Sequence, residues 1–334
     1  MNKPTNLTVR AIFLSLFCSA LLACGGGGGG GGGGGSEPTP GPAPSPAPTP
    51  APLSAPEAAR MLSQATFGPT SGDIAALVED GAEAWFLAEL DKPASLHLDD
   101  VLAGFPADGN FVDEQGFPLQ ELNFLANNSI WQTSIEADDQ LRQRMAFALS
   151  QILVVSADSN LSRLPQIVAS YADVLTRGAF GNYRELLEEV TYSPAMAIYL
   201  TYLRNQKADP VTGRVPDENY AREIMQLFSI GLFVLHLDGS LALDGEDGLP
   251  QPTYTNNDIT ELSRVMTGLS VSYTSNESQF DNPNDNGGNT NSENPVGNFN
   301  TGNGNRWYGS NYLYPMKMFG AFHDGGVKEI AASG

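Results

Sequence analysis

The stretch PQIVASYADVLTRGAFGNYRELLEEVTYSPAMAIYLTY, residues 165–202, decides the fold class. Its apolar residues recur at three- and four-residue spacing, and its breaks fall at Gly178, Gly181 and the Ser193-Pro194 pair. Pro165 to Arg177 and Asn182 to Thr191 therefore read as two helices. Ser193 reads as the N-cap of a third, through Tyr202, with Pro194 at the first helical position, where its missing N–H is not needed.

The same period reaches back to Leu53. Thr70 with Asp73 three residues later reads as a cap and its box partner, opening a helix that Gly81 closes. Ala82 to Leu90 reads as a short helix that stops before Pro93, and His97 to Pro118 as a long loop. Leu119 to Ile135 and Asp139 to Val155 read as two helices parted by Glu136-Ala137-Asp138. On the C-terminal side, a polar loop from Asn205 to Pro216 leads into a helix from Asp217 to Ile230. The period then changes, because Leu235, Leu237, Leu241 and Leu243 alternate around Asp238-Gly239, which predicts a hairpin with a type I′ turn. Thr255 to Gly268 returns to the helical period, and residues 270–311 are rich in Asn and Gly, as in a disordered surface insertion. The fold class is mainly α: a multi-helix domain over 57–334, with about nine or ten helices and one small β-hairpin.

The N-terminus has a different character. Lys3 and Arg10 precede an apolar run from Ala11 to Ala23, and about 13 residues is short of the roughly 20 that span a membrane. Residues 1–23 read as a secretory signal. Leu21-Leu22-Ala23-Cys24 resembles a lipobox, in which Cys24 is lipidated after cleavage; the alternative is ordinary cleavage with an unmodified cysteine. The glycine run Gly25–Gly35 and the proline-rich stretch to Pro56 cannot pack a core. Residues 24–56 read as a tether of roughly 18 Å coil and about 60 Å of semi-rigid spacer. Gly25 after the cysteine, by analogy with Gram-negative sorting, favours the outer membrane or cell surface.

The chain carries 38 acidic against 17 basic side chains. Losing Lys3 and Arg10 with the signal leaves 15 bases, and a net charge near −23. Such a field opposes nucleic acid and anionic lipid. Cys18 leaves with the signal, so Cys24 is the one remaining cysteine and the domain must stand on its core without disulfides.

Helical phase singles out two charges. In the Asp217–Ile230 helix, Tyr220, Ile224, Leu227, Phe228 and Ile230 form an apolar arc, and Glu223 points between Leu227 and Ile230. In the Asp139–Val155 helix, Arg142 falls between Leu149 and Leu153, inside an arc that includes Met145 and Ala148. Two opposite charges in apolar surroundings are expected to pair with each other, either as a structural ion pair or as a polar pocket in which Glu223 acts as general base or ligand. Asn282, Asn284, Asn286 and Glu293 fall at positions 1, 3, 5 and 12 of a calcium-loop template, with Gly287 at position 6. Asn replaces the Asp wanted at position 1 and no helices flank the loop, so a solvated loop and a weak Ca²⁺ site both remain open, and no other cofactor is expected. The histidines His97, His236 and His323 lie in separate segments, which argues against a multi-histidine zinc site. His323-Asp324 is the one His–carboxylate neighbour pair, and no G-x-S-x-G, H-E-x-x-H or Walker loop occurs outside the trivial glycine run.

Five blocks resemble the DUF1800 family of bacterial exported proteins: RMLSQATFGPT (60–70), LRQRMAF (141–147), FGNYRELLEEVTYSPAM (180–196), PDENYAREIMQLFSIGL (216–232) and YTNNDITELSRVMTG (254–268). The resemblance spans roughly Pro56 to Lys328, with the Asp217–Glu223 block its most specific part, and both Arg142 and Glu223 fall within it. Members are often encoded beside a sulfatase-like partner, and they continue with further helices past the His323-Asp324 segment, so the resemblance implies a C-terminal part beyond Gly334. The family supplies no established catalytic residues. Two functions follow as expectations. The first is a surface-displayed binding or scaffold lipoprotein acting on extracellular polymers or with a secreted partner enzyme. The alternative is a hydrolase-like enzyme with a carboxylate–arginine pocket around Glu223, Arg142 and His323.

Overall fold

The computed structural model describes residues 52–106, 122, 124–162, 164–245, 247–271 and 310–331. The signal, Cys24, nearly all of the tether, and Asn282, Asn284, Asn286 and Glu293 lie outside the described residues.

Eleven helices stand among the described residues. Helix α1 (Ala55–Ala65) opens at Ser54, whose N–H and hydroxyl both donate to the Glu57 carboxylate at 2.9 and 2.6 Å. The last two residues read as tether, Ala55 and Pro56, therefore already belong to the helix. In α2 (Ser71–Asp80) the capping box forms as read: the Asp73 N–H donates to Thr70 Oγ1 at 3.2 Å, and the Thr70 N–H donates to Asp73 Oδ2 at 2.7 Å. Gly81, at φ +85°, turns the chain into α3 (Ala82–Asp91). Helix α4 (Leu98–Ala103) occupies part of what reads in sequence as a loop. Its cap is tertiary: Asp173, far along the chain, accepts from the N–H groups of His97 (2.6 Å) and Leu98 (3.4 Å).

Helices α5 (Leu125–Glu136), α6 (Gln140–Ser150), α7 (Pro165–Gly178), α8 (Tyr183–Thr191) and α9 (Pro194–Tyr199) follow. Helices α10 (Asn219–Gln226) and α11 (Asn256–Val265) complete the set. Several end earlier than their apolar period. Thr201, at φ +64°, stops α9. Beyond Gln226 the backbone unwinds: the Gly231 N–H reaches the Met225 carbonyl and the Ser229 hydroxyl takes that of Ile224.

Helix α7 is the axis of the core. It packs against α4, α5, α6, α8 and α9, and Ile167, Val168, Ala169, Tyr171 and Leu175 are buried on different sides of it. Each fully buried large aliphatic side chain contributes about 1.5–3 kcal/mol. Tyr202 and Tyr220, both fully buried, stack at 4.1 Å and join α10 to this core.

The regular antiparallel pair is formed by β1 (Leu269–Ser270) and β2 (Lys317–Met318), in the register Leu269↔Met318 and Ser270↔Lys317. At Asp238-Gly239 the chain does reverse, but not in a type I′ turn. The Gly239 N–H donates to the His236 carbonyl at 2.9 Å, and the His236 N–H to the Ser240 carbonyl at 2.8 Å. Gly239 has φ +82° while Asp238 is not in the left-handed region, so the loop has three residues with a glycine bulge. The Asp238 carboxylate holds the form chosen by accepting from the Ser240 N–H and hydroxyl at 2.9 and 2.6 Å. Single bridges Phe233↔Pro252, Leu235↔Leu241 and Leu243↔Pro250 then make residues 232–253 a small three-limbed meander.

Candidate functional site

Arg142 is largely shielded, with 11% of its side chain exposed, on the side its phase predicts. Its carboxylate partner is Asp139, one turn earlier on the same segment, with Nε to Oδ2 at 3.6 Å; the expected pair with Glu223 does not form. The guanidinium also donates to the Lys92 carbonyl at 3.1 Å and lies 4.6 Å over the Phe180 ring. Asp139 accepts from the Ser95 N–H at 3.0 Å and from Gln143 Nε2 at 3.2 Å. Beside it, Glu89 accepts from the Leu141 N–H at 3.2 Å and pairs with Lys92. Arg142 thus belongs to a polar seam that fastens the α3–α4 chain to the start of α6.

That seam leads to a group of residues that the sequence did not single out. His97 is 2% exposed and lies near Asp173, Asp100 and Asp139. Burial holds its imidazole below the ordinary histidine value, against the pull of those three carboxylates. Burial likewise pushes the Asp173 carboxyl up, opposed by the N–H of His97 and the charge of that ring. The readable signal was Asp173 itself, the single acid in an otherwise uncharged run from Pro165 to Thr176.

Glu223 sits on α10 with Oε2 shielded and without a hydrogen-bond partner. Its placement by phase used Leu227 and Ile230, which lie past the end of α10 and are exposed. His323 is held against the end of α11. Its Nδ1 lies 2.9 Å from the Thr267 carbonyl, so Nδ1 carries the proton, and Nε2 faces Lys328 Nζ at 3.3 Å. Asp324 receives Arg264 in a two-point bond, Nε to Oδ2 at 2.8 Å and Nη2 to Oδ1 at 3.1 Å, while Arg264 Nη1 reaches Glu261 at 2.6 Å. Arg264, with help from the Gly326 N–H, holds the Asp324 carboxyl well below the usual carboxylate range. Arg142, Glu223 and His323 each have separate surroundings, and their polar contacts do not link them into one pocket. Among the described residues no group of three His, Cys, Asp or Glu side chains could hold a metal ion, and no helix is long and apolar enough to cross a membrane.

The meander presents a different surface. Phe233, Leu235, Leu237, Leu241 and Leu243 share one pleated face through the Leu235↔Leu241 bridge, and all five are exposed. Ala242, on the opposite face, is buried, and Val234 beside it is partly so. The apolar side of the alternation points to solvent. Leu227, Ile230, Leu232 and Leu249 nearby are also exposed. A groove of about 540 Å³ between α7 and α8 is more polar, with Arg177, Glu185, Glu188 and Glu189 beside Tyr192 and Tyr314.

Comparison with curated proteins and with solved structures finds no match. The sequence model described as "Protein of unknown function (DUF1800)" matches residues 60–306, which include every helix from α2 to α11, and the chain belongs to the DUF1800 family.

Proposed function

We propose that this chain is a membrane-tethered binding lipoprotein, displayed at the cell surface through Cys24, which docks a secreted partner protein on the outward face of the meander. The observation that carries this reading is the exposure of Phe233, Leu235, Leu237, Leu241 and Leu243 on one face. Contiguous exposed apolar surface of this kind marks interaction sites. No Lys or Arg occurs between Glu223 and Ser263, whereas Asp238, Asp244 and Asp247 border the leucines. A second copy of the chain would bring like charge against like, so the fitting partner has an apolar surface with a basic rim. A polysaccharide would need polar groups that the leucine face lacks. The acidic balance equally opposes nucleic acid.

The test is a photo-crosslinker at Leu237 in cells expressing the full chain, with a crosslinker at exposed Val211 as control. A discrete protein adduct at Leu237, lost with Leu235→Ser plus Leu243→Ser, supports the reading. Identical adducts at both positions refute it. For the anchor, Cys24→Ser should release the chain from membrane fractions or stall its processing; unchanged retention and processing would remove lipidation.

The enzyme reading keeps one observation, the shielded and unpartnered Oε2 of Glu223. Screening against polysaccharides and esters, with Glu223→Gln as control, tests it. Activity abolished by that substitution in a folded chain would move the function to α10.

A further inference from the structure

We infer that the outer face of α5 is a contact between two copies of this chain, which join antiparallel across a two-fold axis. Ala126, Ser129 and Ser134 are buried and turn one side of α5 toward the core. On the other side Phe124, Asn128, Trp131 and Ile135 follow one another at steps of four, three and four, and all four are exposed. At 100° per residue those steps gather them within about 60° of one face, over roughly 16 Å of helix. The same alternation seats the side chains of one helix against another.

The seam is held in place from behind. Trp131 is 52% exposed, yet the Phe67 ring meets it edge-on at 6.3 Å and the Phe147 ring lies at 6.0 Å. The Arg144 guanidinium covers the Phe67 ring at 5.2 Å. Neither the Trp131 indole N–H nor the Asn128 amide has a hydrogen-bond partner among the described residues.

Charge decides the occupant. With 38 acids against 17 bases, contacts between copies generally set acid against acid. No charged residue occurs from Phe124 to Ile135, and from Gln140 to Ser156 the charges are Arg142 and Arg144. Two copies therefore meet here without the repulsion that opposes them at the meander. A lipid surface fits less well, because an interfacial helix carries basic residues beside its apolar face, and α5 has none and ends in Glu136. A two-fold axis between Asn128 and Trp131 sets Phe124 against the partner's Ile135. It also sets Asn128 against the partner's Trp131, whose indole N–H then gains an acceptor. One amide in an otherwise apolar seam fixes its register. The patch is at the small end of protein interfaces, so the dimer is weak and reversible.

The test is a photo-crosslinker at Asn128 in cells expressing the full chain with two different tags. An adduct carrying both tags is expected. Ile135 is 68% exposed, so Ile135→Lys should leave thermal unfolding unchanged while lowering the adduct yield about tenfold, since it sets a lysine against the partner's Phe124. Adding Phe124→Glu to the same chain should restore the yield, because antiparallel copies then pair lysine with glutamate. Absence of a doubly tagged adduct, or a yield that Ile135→Lys leaves unchanged, would overturn the contact. An adduct with a different protein alone would also overturn it, giving the face to another partner. A yield that Phe124→Glu fails to restore would overturn the antiparallel register.

Discussion

In α7, Ile167, Val168, Ala169, Tyr171 and Leu175 are buried, and even its one acid, Asp173, is 3% exposed. In the meander, Phe233, Leu235, Leu237, Leu241 and Leu243 form a regular apolar series and all face solvent. The two regions use similar side chains to opposite ends. Around α7 a buried carboxylate needs partners inside the protein, and Asp173 and Asp139 each accept from backbone N–H groups there. The meander holds itself by backbone bonds and the Asp238 turn, and its side chains are left for something else. If this is right, substitutions in the first region cost stability, and those on the outward face of the second cost contacts.

The largest effect is expected at Asp139. Asp139→Ala removes the carboxylate that accepts from Ser95 and Gln143 and forms an ion pair with the largely buried Arg142. Stranding a buried guanidinium should lower stability by about 3–5 kcal/mol in urea unfolding. In the meander, Asp238→Ala removes two hydrogen bonds from an exposed turn and should cost about 1 kcal/mol or less. Similar losses at the two positions would erase the distinction.

Two glycines sharpen it. Gly268 and Gly239 have nearly the same left-handed φ, +85° and +82°. A Cβ on Gly268 would meet the Phe319 carbonyl oxygen at 2.8 Å and the His323 nitrogen at 3.0 Å, whereas one on Gly239 meets nothing within 4 Å. Gly239→Ala should cost about 1 kcal/mol, the left-handed penalty alone. Gly268→Ala adds a backbone clash and should cost roughly 2–4 kcal/mol, with the β1–β2 pairing disturbed. Thermal unfolding of the two variants decides whether packing, rather than φ, sets the difference.

What the sequence made legible follows from range. The cap read at Thr70 closes on Asp73 three residues away and forms, and the caps that the structure adds at Asn182 and Thr255 are equally local. Arg142 is largely shielded because its own helix puts it there, and its partner Asp139 was in view at the start of that helix. Helix α4 was not legible because its cap comes from Asp173, a contact no local pattern contains. Glu223 was read against the wrong neighbours, because the apolar period ran on past Gln226 after the helix had ended, although its Oε2 is shielded. The alternating leucines announced a strand pair, but alternation cannot say which face is covered. The Asp238-Gly239 dipeptide announced a reversal, yet Asp238 spends its side chain on Ser240, favouring the three-residue loop.

His97 offers a pH test of the buried region. Its folded pKa is depressed by burial, and its unfolded value is about 6.5. Below that value the unfolded chain takes up a proton that the folded chain refuses. Stability should therefore be fully present above about pH 6.5 and fall as pH drops, at up to about 1.4 kcal/mol per unit. The raised Asp173 carboxyl acts with the opposite sign, since the folded form holds its proton longer. His97→Phe should flatten the fall between pH 7 and 5; an unchanged slope would place its origin elsewhere.

The smallest expected effect is the most informative about the meander. Leu237 is fully exposed and Leu243 mostly so, on the face away from the body of the protein. Leu237→Ser and Leu243→Ser should each change stability by less than about 0.5 kcal/mol, as surface substitutions do. Val234, on the opposite face beside buried Ala242, should not be neutral: Val234→Ser removes partly buried apolar surface and should cost about 1 kcal/mol. The sign of the contrast carries the argument. A structural hairpin would lose stability when its leucines are cut back and tolerate change on the other side. If Leu243→Ser destabilises the isolated chain more than Val234→Ser, the leucines are already covered within the protein, and the meander is core rather than a docking face. If the order is as expected, the leucines contribute nothing to the fold of this chain, and their apolar surface remains free for the docking role proposed for it.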